Sequence, residues 1–246
     1  MNTRLSTGDD FLIYLYDKRA LTARLIKLMD AAKLQLSPEE LRLVQDGSWI
    51  LTKNSILERM VQLLADLSGE CRALWEGREQ EGRGRPRIPH SEPKVSRGEN
   101  YKGLPYVILD YPRLFGREDV LAIRTMFWWG HAFSVTLHLK GAYQRIFLPV
   151  ILDRWEALSA AGFHVGVSED EWMHEHVPEN YRPMSGVPDP AGMGHGDAGD
   201  VLGADGTHGL ADRPFLKLSV ACGLDKWETA PEWLLAHFRL LADVLE

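Results

Sequence analysis

The 246-residue chain has only two cysteines, Cys71 and Cys222, far apart and in no metal-ligand spacing. Their scarcity excludes a disulfide scaffold and a cysteine-rich zinc site, and the pair reads as small core residues in a reducing compartment. A Gly-x-Gly-x-x-Gly turn and a Gly-Lys-Ser loop are both missing, so the common nucleotide-binding fingerprints are excluded and no cofactor is expected. No apolar run approaches the ~20 residues that cross a bilayer. The opening MNTRLSTGDDF lacks the basic-then-apolar layout of a secretory leader. The chain therefore reads as cytoplasmic, with no membrane contact.

Basic residues are also scarce where nucleic acid would need them. Residues 1–76 carry 10 basic and 11 acidic side chains, residues 77–102 carry 7 and 4, and residues 103–246 carry 11 and 20. An acidic C-terminal half of net −9 repels phosphate backbones. Nucleic-acid contact is thus confined to the short middle segment.

Helical periodicity fills the first third. Leu12, Leu15, Leu21, Leu25, Leu28 and Met29 recur at three- and four-residue spacings. A second, short helix opens at Ser37 with Pro38 in its first turn and Glu40 reaching back as a capping box, and it stops before Gly47. SWILTK reads as a strand or turn, and a third helix starts at Asn54 or Ser55 with Ile56, Met60, Leu63, Leu64, Leu67 and Leu74 as its stripe. Residues 1–77 are accordingly expected to form a helical unit. As a helix-turn-helix it would present Ile56, Leu57 and Glu58 to DNA, a poor reading surface.

Three prolines and three glycines then interrupt every periodicity, marking residues 78–100 as a flexible linker. Within it Arg83, Gly84, Arg85 and Pro86, followed by Arg87, resemble the Arg-Gly-Arg-Pro core of AT-hook peptides, which implies arginines entering a narrow A·T minor groove. One copy flanked by Glu79 and Glu81 fits a solvated linker better.

From residue 101 the texture alternates, as in strands: LPYVILDYP up to Pro112, EDVLAIRTMFWW, AFSVTLHLKG, FHVGV and PFLKLSV. Helices are expected around Pro149, over EDEWMHEHV with a Ser168/Glu171 capping box, and from Thr229 to the end. A glycine- and aspartate-rich stretch at about 183–213 has the composition of a disordered loop. The fold class that follows is α+β: an N-terminal helical unit, then an antiparallel sheet of about four to five strands packed by helices on at least one face.

Alternation also sorts side chains by face. Leu121, Ile123, Thr125 and Phe127 share a face with Phe133, Val135, Leu137 and Leu139 only if the connecting loop has odd length. A three-residue loop, Trp129-Gly130-His131, meets this, with Gly130 at positive φ. The opposite face then gathers Tyr106, Asp110, Arg124, Trp128, Ser134, Thr136 and His138. Covered by the N-terminal helices, it would hold an Asp110–Arg124 ion pair and a core histidine. Left open, it would bind a small polar or anionic molecule: Arg124 as clamp, Trp128 as stacking wall, Tyr106 beside them, and His138, Arg124 and Asp110 as catalytic candidates.

Metal chemistry has one helical candidate, the i, i+3 pair Glu171 and His174; a capped surface helix accounts for it without a metal. The block SRGENYKGLPYVILDYPRLFGREDVLAIRTMFWWGHAFSVTLHLKG, with FLKLS and KWETAPEWLLAHF, resembles uncharacterised bacterial proteins of unknown function. That resemblance implies one continuous domain over residues 94–245 and brings no activity. The leading functional expectation is a non-enzymatic binding or assembly protein that engages a protein partner or a second copy through the helical unit or an apolar patch at the hairpin tip. The alternatives are a small-molecule site or enzyme on the polar sheet face, and DNA binding through Arg83, Arg85 and Arg87.

Overall fold

The computed structural model describes residues 18–26, 35–79, 88–184 and 209–245. The Arg83–Arg87 motif and most of the glycine-rich stretch lie outside the described residues. The chain divides into two compact units, Met1–Asn54 and Ser55–Glu246.

In the first unit residues 18–26 are helical, and helix α1 spans Pro38–Gln45. Its capping box is formed as the sequence predicts: Ser37 Oγ accepts from the Glu40 amide at 3.2 Å and the Glu40 carboxylate accepts from the Ser37 amide at 2.7 Å. The next helix differs from expectation. Helix α2 runs unbroken over Ser48–Glu79, so SWILTK is helical and no turn separates it from Ser55. The Asp46 carboxylate accepts from the Ser48 amide at 2.9 Å, and the helix starts there, seven residues before Ser55.

The second unit is built on a seven-stranded antiparallel sheet in the order β1-β2-β3-β4-β7-β5-β6. Its strands are β1 (Lys94–Tyr101), β2 (Leu104–Phe115), β3 (Val120–Trp128), β4 (Ala132–Lys140), β5 (His164–Gly166), β6 (Tyr181–Pro183) and β7 (Phe215–Gly223). Two of these correct the sequence reading. Residues 94–100, assigned to the linker, form most of edge strand β1, whose polar sequence KVSRGENY hides it from hydrophobic patterning. Strand β2 is not ended by Pro112 but passes a bulge between Asp110 and Arg113 and pairs on to Phe115.

The β3–β4 hairpin has the expected register, Phe127 opposite Phe133 and Trp128 opposite Ala132, with Gly130 at φ 74° in the loop. The set Leu121, Ile123, Phe127, Phe133, Val135, Leu137 and Leu139 is therefore buried on one dry face. Three helices cover that face. Leu57, Met60, Leu64, Leu67, Cys71 and Trp75 of α2 repeat every three or four residues and join the core, as do Phe147, Leu148 and Ile151 of α3 (Ala142–Asp153) and Leu234, Phe238 and Leu241 of α5 (Ala230–Val244). Between the last two, α4 (Trp155–Ala160) adds Trp155 and Leu158. The residues of α2 from Ser55 onward thus belong to the sheet unit rather than to an N-terminal unit ending at residue 77.

The hairpin loop supplies a test. A Cβ added at Gly130 would meet only Leu104 Cδ1 at 3.8 Å, so substitution there strains the backbone without a clash. Gly130→Ala is expected to lower stability by about 1 kcal/mol in urea unfolding. Gly130→Asn, which tolerates the left-handed region, is expected to lose less.

Candidate functional site

The polar face of the sheet is assembled by cross-strand register. Asp110, Arg124, Thr136, Ser219 and His164 are successive partners across β2, β3, β4, β7 and β5, and His138 pairs with Lys217 in the adjacent row. The Ser55–Glu79 part of α2 lies on the dry face and does not cover this one. The cover is the strap of residues 168–180 between β5 and β6.

The strap is where a short helix with a Ser168/Glu171 box was expected, and it has no helix. Local side-chain bonds to the backbone take over instead: Ser168 Oγ accepts from the Asp170 amide at 3.1 Å and Asp170 Oδ1 from the Trp172 amide at 2.8 Å. The strap carbonyls bond to side chains of the sheet. Lys217 Nζ donates to Glu171 O at 3.0 Å and to Met173 O. Tyr181 Oη donates to Met173 O at 2.9 Å, and Tyr101 Oη accepts from the His174 amide at 2.8 Å.

Beneath the strap the sequence-predicted site residues are drawn into pairs. Arg124 holds Asp110 through two bonds, Nε to Oδ1 at 2.7 Å and Nη2 to Oδ2 at 2.9 Å. Its guanidinium lies over Phe115 and Trp172 at 5.9 and 5.8 Å. The third donor, Nη1, reaches His174 Nε2 at 3.1 Å. Glu171 collects Lys140 at 3.0 Å and His138 Nε2 at 3.1 Å. The last contact has no directed hydrogen bond and becomes an ion pair only when His138 is protonated. Thr136 Oγ1 and Ser219 Oγ share a 2.7 Å bond, and His176 Nε2 meets Ser219 Oγ at 2.8 Å. Glu171 and His174, the candidate metal pair, contact different partners, Lys140 and His138 for the first and Arg124 for the second, and no group of three metal-ligating side chains gathers among the described residues.

Burial governs the electrostatics. His138 is pushed down to about 4 by loss of solvent, then by the Lys217 charge, against the pull of Glu171. His176 is also lowered to about 4, by burial and then by His164 and Lys217. His174 falls well below the usual histidine range by burial, then by Lys217 and Arg124. Lys217 itself drops to about 7, first from burial and next from Arg124. Three neutral imidazoles therefore surround a half-neutral lysine at physiological pH.

At the hairpin end of the same face the packing leaves a cavity of about 180 Å3 lined by Met126, Trp128, Ser134, His174, His176 and Val177. Two ring nitrogens on its lining residues are buried without a partner, Trp128 Nε1 and His174 Nδ1. Because arginine only donates, the Arg124 contact makes His174 Nε2 an acceptor, so the neutral ring carries its proton on Nδ1. Both orphans are thus N–H donors, each costing roughly 1–3 kcal/mol while unmet. Of the residues named from sequence, Trp128, His131 and His174 line this cavity; Arg124, His138, Asp110, Tyr106 and Glu171 do not. Lys217, His174, His176, Ser219 and Tyr181 were not singled out as a group. A lysine alternating with the apolar Leu216 and Leu218 in FLKLS was the available signal.

The second candidate surface is apolar. Among the described residues, Leu21, Leu25, Ile26, Leu36, Leu41, Leu43, Val44, Trp49, Ile50 and Leu51 are exposed, ten of the fourteen large hydrophobic residues left so. All ten belong to the first unit. At the hairpin tip, where such a patch was also expected, Trp128 is 4% exposed and Trp129 packs on the core. No described helix is long and apolar enough to cross a membrane. Comparison with family models, with curated proteins and with solved structures gives no match to this chain.

The ion pair and the histidines each generate a test. Asp110→Asn leaves the largely buried Arg124 without its carboxylate and is expected to cost on the order of 3 kcal/mol, read from urea unfolding. For the histidines the folded pKa lies below the unfolded value of about 6.5, so the unfolded chain binds more protons between those values. Their contribution is full above pH 6.5 and is lost as pH falls toward 4. The urea midpoint should fall across that window, with a shallower slope in His176→Gln.

Proposed function

We propose that this protein is a non-enzymatic assembly protein in which the first unit joins two copies of the chain. The reading rests on the exposed apolar series from Leu21 to Leu51. Leu21 and Leu25 lie one turn apart in the 18–26 helix, and Leu41 and Val44 share a face of α1. A soluble chain seldom concentrates so much large apolar surface on short helices without a partner to bury it.

Charge selects the partner. Residues 1–54 carry eight basic and seven acidic side chains, whereas the rest of the chain carries 20 and 28. Two near-neutral helical units can meet without mutual repulsion while the acidic bodies stay apart. A symmetric pairing of one patch with itself also closes the assembly at a dimer.

Against a catalytic reading stands the use already made of its candidates. Substrate must reach an acid or base within hydrogen-bonding distance. Arg124 and Asp110 spend their bonds on each other, and His138 is 5% exposed beneath Glu171. That arrangement supports a structural role for the centre of the polar face.

The full chain at tens of micromolar should sediment as a dimer. Leu43→Glu with Val44→Glu, on an exposed face where folding of the sheet unit is not at stake, should convert it to a monomer with an unchanged unfolding midpoint for the sheet unit. A wild-type monomer at that concentration, or a dimer unmoved by the double variant, would overturn the proposal.

A further inference from the structure

The short helices of the first unit lack the packing that ordinarily keeps such helices folded. We infer that residues 18–26 and α1 hold their helical form only when two copies of the chain associate, so that folding of the first unit and assembly are one coupled event. The inference rests on the self-pairing proposed above and adds what the unpaired chain does.

Burial carries the argument. Every described residue from 18 to 52 is exposed, and α1 contains no buried residue. Along α2 the first buried side chain is Leu57, which already belongs to the sheet unit. Helices in folded proteins owe most of their stability to an apolar face packed on something, and isolated helices shorter than ~12–15 residues are marginal in water. With 8 residues α1 falls below that length, as does the 18–26 helix.

The local bonds in these helices are weak substitutes for a core. The Ser37–Glu40 capping box starts α1, and Arg42 pairs with Glu39 inside the same helix, with side chains 73% and 63% exposed. Exposed ion pairs of this kind contribute little. In the other helix Thr22 Oγ1 donates back to Lys18 O at 2.7 Å, a bond that slightly disfavours the helix carrying it. Ordering the backbone costs more than such bonds return.

The start of α2 is different. Ser48–Lys53 continues a helix anchored by Leu57, Met60 and Leu64, so it extends a formed nucleus. Trp49, Ile50 and Leu51 stand exposed on this stem, ready for a first contact between copies. The shorter helices then fold as their leucines are buried, and the cost of ordering them is drawn from the interface. Assembly is thereby made weaker than its apolar area suggests and sensitive to chain concentration.

Amide hydrogen exchange on the full chain, read by mass spectrometry over residues 18–26 and 38–45, tests the inference. Wild type at tens of micromolar should exchange there at least tenfold more slowly than the monomeric Leu43→Glu/Val44→Glu variant, whose exchange should match that of an unstructured peptide. Glutamate is as good a helix former as leucine and better than valine, so lost propensity does not account for that difference. Dilution of wild type to its monomer should give the same loss of protection without any substitution. A monomer, diluted or variant, that keeps its protection would overturn coupled folding while leaving self-pairing intact. So would a dimer whose 18–26 and 38–45 amides exchange freely. A wild-type chain that is monomeric at tens of micromolar removes the self-pairing and this inference with it.

Discussion

The odd length of the loop between β3 and β4 is the constraint on which the rest of the sheet unit depends. Side chains alternate with a period of two, so slipping the hairpin by one residue would turn Leu121, Ile123 and Phe127 away from Phe133, Val135 and Leu137. The same slip would move Arg124 out of line with Thr136. One dry face and one polar face exist because Trp129, Gly130 and His131 number three. The helices find a continuous apolar surface, and the charged residues find one another.

The strap of residues 168–180 solves the problem this polar face creates. It has almost no regular structure, so its own backbone groups need partners, and the sheet has polar side chains that need covering. Lys217, Tyr101 and Tyr181 satisfy the strap; Glu171 and His174 satisfy Lys140 and Arg124 in return. A lysine that is 2% exposed is tolerable in this setting because two carbonyls replace its water. The exchange is incomplete at the hairpin end. There Trp128 Nε1 and His174 Nδ1 are left without partners, on two residues that also line a cavity.

Much of this was legible in the chain, and the failures have common causes. Strict alternation in VLAIRTMFW and AFSVTLHLK identified both strands, their register and their faces. The Ser37–Glu40 box identified α1. Strand β1 escaped because an edge strand pairs on one side only and needs no apolar face. EDEWMHEHV carries helix-like spacing, but Lys217 and Tyr181, on strands outside the segment, bond carbonyls that a helix would have used. The stripe in α2 was read in part: Met60, Leu64 and Leu67 are buried, but Leu57, Cys71 and Trp75 complete the buried face while Ile56, Leu63 and Leu74 are only half-buried, and a stripe does not name what it packs against; here it packs on the sheet.

The sequence by itself determined which residues alternate, where the hairpin turns, and that Asp110, Arg124, Trp128 and His138 stand on one side of the sheet. These are properties of neighbours along the chain, carried by a period of two and by one glycine. Only the tertiary structure decided that Arg124 answers Asp110 and His174 together, that Lys217 holds the strap, and that the space on the polar face lies beside Trp128. Each of those joins residues dozens of positions apart, and burial rather than local spacing set their protonation and their partners.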